Sequence, residues 1–356
     1  MLKKIALLVI SLLTVALMLA AVACGSEPKG SISEKEAVPQ RANLIARISL
    51  ESALADNGIR NVYDKVDKGT DVPATFDEFL QMFREQTGLD LKGFKEATFF
   101  GDITDPSQIL PEQGVAPSEG YLGVIVSGTF KKDELIAAIE KGTGQKLKSE
   151  AYKGYDIYAI EADTTDLSFA NLALAFPGDG VFVVGSVDAV KDVIDVKNGG
   201  KEGLGDDLLE AYEKLDGSWG KLALNIPGEW LSQLPDEQDI GGIGTLKLKA
   251  FKEMRMATAA LDRAGDNFSL EIRVAFSGGA SASGAKDAID GFISVLQGLI
   301  KLAGGSGDIP EMAALTDLLN SLHLSVSGNW LTLRLELTTE QVEELMPMLQ
   351  GMSSGD

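Results

Sequence analysis

Apolar and polar positions alternate along much of the chain with the two-residue period of strands that bury one face. Phe268, Leu270, Ile272, Val274 and Phe276 alternate with Ser269, Glu271, Arg273 and Ala275, which implies an antiparallel sheet with one wet face. Similar short runs predict strands at 43–49, 97–103, 121–127, 155–161, 172–176, 181–185, 221–226, 254–261, 322–326 and 331–335. Helical spacing interrupts them. Thr75-Phe76-Asp77-Glu78 is a capping box that opens a helix with Phe79, Leu80 and Phe83 on one face, closed at Thr87-Gly88. Further helices are expected at about 131–141, from Ser186 through Ile194, at 208–215, around Trp230 and Leu231, at about 282–303, at 312–319 and at 342–349, the last capped by Thr338 and Gln341.

These elements fall into two stretches of like order. Leu172–Phe176, a turn, Val181–Val184 and a helix parallel Leu322–Val326, a turn, Leu331–Leu335 and a helix. In the second of these, Gly328-Asn329 suits a two-residue hairpin that pairs Val326 with Leu331 and Leu324 with Leu333, leaving His323 and Arg334 on the other face. Leu172 and Leu322 lie 150 residues apart and Tyr121 and Asn267 lie 146 apart, so the stretches run in near register. A duplication is the expectation, and two unrelated domains built from common hairpin–helix units fit the same pattern. The expected fold is α+β, with two similar halves at 43–200 and 201–350, each a mainly antiparallel sheet with helices packed on one face. Residues 351–356 read as a disordered tail.

The amino terminus reads as an export signal. Lys3 and Lys4 precede an uncharged run from Ile5 to Ala23 rich in Leu, Val and Ala. It ends in Leu19-Ala20-Ala21-Val22-Ala23-Cys24-Gly25, which resembles the lipobox of bacterial lipoproteins; Ala21 stands where that pattern usually has Leu. The resemblance implies cleavage between Ala23 and Cys24 and a lipid on Cys24, the only cysteine of the chain. It makes 1–23 a signal peptide and the protein a lipid-anchored one on the extracytoplasmic face of the cell membrane. Two other readings fit the segment, an ordinary Ala-x-Ala cleavage through Ala21 and Ala23 and an uncleaved anchor, since its 19 uncharged residues approach the roughly 20 that span a bilayer. Residues 24–42 follow as the lipidated cysteine and a polar tether carrying Pro28 and Pro39.

The 356 residues carry 32 Lys and Arg against 53 Asp and Glu, a net charge of −21, which repels phosphate backbones and excludes nucleic acid as a partner. Loss of 1–23 removes two lysines and no acid, leaving 30 basic and 53 acidic residues, net −23. One Cys and one His are too few for a disulfide framework, a Cys/His zinc site or an iron–sulfur cluster, and no metal or cofactor is expected. Gly279 to Lys286 stands where a phosphate loop would, but Ala285 separates Gly284 from Lys286 and Asp287 follows, so the lysine and hydroxyl of that motif are out of place. His323 is the one imidazole a Ser–His–Asp site would need, and it falls on a wet strand face. Asp163 with Asp166, and Asp206 with Asp207, lack the alternating oxygens of a calcium loop. Trp330 flanks the hairpin turn as a packing residue.

The stripe of Ala285, Ala288, Ile289, Phe292, Val295, Leu296, Leu299 and Ile300, widened by Ile293 and Leu302, is broader than one sheet face needs. With Met312, Met346 and Met348 it forms core, or it lines a cavity for an apolar ligand. The segments Val38–Ile48, Thr87–Leu91 and Tyr152–Tyr158 before a hairpin and helix resemble an uncharacterised group of secreted α+β bacterial proteins and lipoproteins over most of 38–350. That resemblance implies an exported protein and brings no functional residues with it. The expected role is non-catalytic, a binding or structural module whose partner is an apolar ligand or an envelope protein, beside the membrane reached through the anchor; the alternatives are a lipid-carrier or solute-binding lipoprotein and, third, a hydrolase.

Overall fold

The computed structural model describes residues 37–65, 73–104, 120–160, 172–217, 219–232, 234–239, 245–303 and 310–342. The expected leader with Ala23 and Cys24, most of the expected tether and the expected tail lie outside the described residues. The fold is α+β and built on one large antiparallel sheet.

The first strands are β1 (Leu44–Ser49), β2 (Phe94–Asp102) and β3 (Tyr121–Gly128), with helices α1 (Leu50–Ala55), α2 (Asn57–Lys65) and α3 (Phe76–Thr87) between β1 and β2. Thr75 and Glu78 form the expected capping box on α3, and Gly88 closes it with φ +80°. Helix α4 (Lys132–Thr143) leads to strands β4 (Lys148–Tyr152), β5 (Tyr155–Ile160), β6 (Leu172–Gly178) and β7 (Val181–Ser186). Helices α5 (Val187–Lys197) and α6 (Asp206–Glu213) follow, the first capped by the Ser186 hydroxyl. Beyond them come β8 (Gly220–Asn225), α7 (Gly228–Ser232), a small hairpin of β9 (Glu237–Asp239) and β10 (Thr245–Lys247), and the long pair β11 (Met254–Ala264) and β12 (Asn267–Phe276). Helices α8 (Gly279–Ala303) and α9 (Pro310–Ser321) then return the chain to β13 (Leu322–Ser327) and β14 (Trp330–Thr338).

Among the described residues twelve strands form a single sheet in the order β13-β14-β12-β11-β8-β1-β2-β3-β7-β6-β5-β4. This departs from the expected pair of sheets. β1 pairs with β2 on one side and with β8 on the other, so the two expected sheets are joined edge to edge into one. The cores are shared in the same way, since Leu204, Leu208, Tyr212 and Ala223 pack with Ile45, Phe100, Val183 and Val193.

Alternation puts Ile45 and Ile48 on opposite faces, and both are buried. The Ile45 face is covered by α5, through Ala189, Val190, Val193 and Ile194, and by α6. The Ile48 face is covered by α1, α2 and α3, with Phe76, Phe79, Trp219, Leu261 and Phe268 in one cluster, and farther along by the start of α8, where Ala282 and Ala285 meet Phe276 and Leu331. Helices therefore lie on both faces, not one as expected. The reason is legible in β3 and β7, whose near-continuous Val, Ile and Phe leave neither face wet.

The tether expected over 24–42 also needs correction at its end. Ala37, Val38 and Ala42 are buried in the Ile45-face core. Pro39 bridges to Gly203, and the Gln40 amide donates to the Glu202 carbonyl at 3.2 Å. Apolar side chains in this short segment outweigh the turn-forming prolines that marked it as linker.

Candidate functional site

The residues singled out above are scattered. Ala23, Cys24, Asp163, Asp166, Met346 and Met348 lie outside the described residues. Gly279–Lys286 forms the first turns of α8, not a loop, and Lys286 is paired with Asp290 one turn on. Asp206 and Asp207 occupy the first turn of α6, where carboxylates complement the helix dipole. Among the described residues no cluster of His, Cys, Asp and Glu is placed to hold a metal.

The structure does bring His323 to a group of charges. Sheet register sets His323, Arg334 and Glu271 in line across β13, β14 and β12, and Ser325, Thr332 and Arg273 in the next line. Glu271 accepts from the guanidinium groups of both Arg273 and Arg334. Its carboxylate is 14% exposed, whereas Arg334 is 61% exposed, so the pair offers a wet cationic edge over a shielded anion. Farther in, Arg47 and Glu96 pair at 2.9 Å on the same face. The hydroxyl of Thr258, the register partner of Arg273, is buried with no hydrogen-bond partner among the described residues. This part of the Ile45 face, across β12, β14 and β13, is polar, partly exposed and not packed into the cluster beneath α5 and α6. It can engage a partner by hydrogen bonds and charge.

A second constellation went unread in the sequence. Asp192 and Asp195 are buried on α5, one turn apart. Tyr121 donates to Asp192 Oδ2 at 3.1 Å, and Lys201 pairs with Oδ1 of the same carboxylate. Tyr152 donates to Asp195 at 3.1 Å, and Lys153 Nζ stands 2.7 Å from its Oδ1. Burial, then the Asp192 charge, pushes the Tyr121 hydroxyl well above its ordinary range, so it stays a donor. Burial opposes ionisation of Asp195, but hydrogen bonds from Lys153 and Tyr152 with the charges of Lys153 and Lys201 hold it below the usual Asp value. Lys153 sits in the β4–β5 turn with φ +47°, followed by Gly154 at +88°, the pair of positive angles a tight twisted hairpin needs. The cluster is saturated and acts as a clasp, tying α5 to β3, to the β4–β5 hairpin and to the segment after α5. The signal available in sequence was the placement of both acids three apart on the flank of the buried stripe 189, 190, 193 and 194.

A shallow open recess of about 310 Å³ lies beside Ser52, Asp56, Trp219 and Arg263. Its polar groups are engaged with one another: Arg263 donates to Asp56 at 2.6 Å and to the Gly265 carbonyl at 2.6 Å, and its guanidinium stacks over Phe268 at 4.5 Å. Asp56 in turn accepts from the Gly58 and Ile59 amides at the start of α2. The apolar stripe of α8 divides in two. Ala282 and Ala285 are core, whereas Val295 and Leu299 are each 39% exposed. No described helix is long and apolar enough to cross a membrane.

No family model matches the chain, and no curated protein matches it. It is similar to solved structures of TP0453. Crystal form III has a TM-score of 0.45 and 10% identity, covering 90% of this chain and 100% of that one. Crystal form I has a TM-score of 0.42 and 11% identity, covering 90% and 99%, and crystal form IV a TM-score of 0.43 and 10% identity, covering 89% and 97%. At these values the likeness is one of shape alone.

Proposed function

We propose that this protein is a non-catalytic binding module, held by a lipid on Cys24 at the extracytoplasmic face of a membrane, with two related halves joined in one sheet. The observation that carries the binding role is the contrast between the two ends of the Ile45 face. Under α5 and α6 that face is buried core, whereas across β12, β14 and β13 it presents Glu271 shared by Arg273 and Arg334, with His323 beside them. A strand face that carries paired charges instead of apolar side chains needs no helix over it and is suited to a polar partner.

Strand order supports the related halves. Counted outward from the central pair, one side runs β1, β2, β3, β7, β6 and the other β8, β11, β12, β14, β13. The residues whose spacing suggested duplication, Tyr121 with Asn267 and Leu172 with Leu322, each begin the matching strands.

The anchor rests on the leader and the lone cysteine. Intact-mass measurement of the full chain is expected to show a mature protein beginning at Cys24 with added acyl mass, and Cys24→Ser is expected to move the protein from the membrane fraction to the soluble one. An unmodified Cys24, or a Cys24→Ser protein that stays with the membrane, overturns this part of the reading.

A further inference from the structure

The two margins of the twelve-stranded sheet are unlike. At one margin, β4 bears Lys148 and Glu150 on a stretch exposed from Lys148 to Ala151 and ends in the Lys153 turn. Charged side chains, lysine above all, are what natural sheets place on an outer strand to prevent further pairing. At the other margin, β13 reads Leu-His-Leu-Ser-Val-Ser, with no acid, no lysine, no proline and no bulge in its pairing with β14. Among the described residues no strand pairs with its outer side. Among the described residues the backbone groups along that side have no strand partner, and the residues of β13 favour extended structure.

We propose that β13 is the docking strand for a second copy of this chain, the two β13 strands pairing antiparallel about a twofold axis at Leu324. The sequence is self-complementary about that residue. Antiparallel pairing sets Leu324 against its own copy and Leu322 against Val326 on the Ile48 face, and His323 against Ser325 on the Ile45 face. Each apposed pair matches apolar with apolar or uncharged polar with imidazole. A chain of net charge −21 repels its own copy over most of its surface, and a segment free of acids is where two copies can approach. Helix α8 lies over β13 and packs Ile289 near Leu324 and Val326. A twofold at this margin brings a second α8 to the same side of the joined sheet, where Val295 and Leu299 are exposed.

The test uses the full chain in detergent, with mass measured by sedimentation across a concentration series. The wild type is expected to dimerise. His323→Lys with Ser325→Lys sets lysine against lysine across the twofold and is expected to weaken the dimer at least tenfold, whereas His323→Lys with Ser325→Glu sets lysine against glutamate and restores it to within about threefold. Both positions are exposed, so the variants test pairing without touching the core. Hydrogen exchange on the wild type gives a second readout, with protection of the β13 amides expected to rise with protein concentration. A monomer at all concentrations, a double-lysine variant that dimerises as the wild type does, exchange in β13 that ignores concentration, or a monomer carrying co-purified lipid on α8 would each overturn the proposal.

Discussion

At position 195, burial and hydrogen bonding pull one carboxylate in opposite directions, and the hydrogen bonds win. Burial raises its pKa, while the bonds from Lys153 and Tyr152 lower it below the ordinary value. A group with a depressed folded-state pKa adds stability above its unfolded pKa, and that stability is lost as pH falls through the folded value. The window lies below about pH 4. Asp195→Asn is therefore expected to lower the melting temperature at neutral pH, by about 1 kcal/mol in stability, and to flatten the loss of stability on acidification below that window; thermal melts from pH 7 down to pH 3 check it. The local pattern sets this residue only on the flank of a buried stripe, where an acid reads as solvated. Its lysine and tyrosine partners come from a turn more than 40 residues away, and only tertiary structure brings them together.

Individual elements were the most legible level. The β13–β14 hairpin forms with the expected register, Val326 to Leu331, Leu324 to Leu333 and His323 to Arg334, because the turn and the alternation specify it jointly. Gly328 supplies the positive φ, +61°, that the turn requires. What local pattern does not encode is which strands become neighbours across long separations. β1 joins β8 because both carry apolar residues facing the same core, Ile45 opposite Ala223, and that pairing spans nearly half the chain. Close strand approach also depends on small residues. On β3 and β7, Gly123 lies opposite Gly185; a Cβ at Gly123 would stand 2.2 Å from the Phe100 ring, and one at Gly185 2.3 Å from the Leu122 carbonyl oxygen. Gly185→Ala is expected to destabilise by about 2 kcal/mol or more, because the obstructing atom is backbone and cannot turn aside. A urea midpoint that drops while the slope stays constant is the result to look for.

For the whole molecule, the segment before β1 belongs to the fold. Val38 is fully buried in the core shared by the two stretches, while Gln40, two residues on, is exposed. Val38→Asp is expected to cost about 3 kcal/mol or more and Gln40→Asp almost nothing, as read by chemical denaturation; a simple tether would tolerate both equally. The composition that marked 24–42 as linker is averaged over a stretch in which a few apolar residues decide the outcome at one end. The apolar run from Ile5 to Ala23 and Cys24 rest on sequence alone and lie outside the described residues.

The place of β1 at the sixth position of twelve also bears on timing. A ribosome making about 5–20 residues per second needs on the order of ten seconds or more to travel from Ser49 to Gly220, and until then one flank of β1 has no mate. Wherever the chain folds, its first stretch keeps one flank of β1 unpaired until β8 is present, so a chain whose earliest strand ends up at its centre closes its two stretches together.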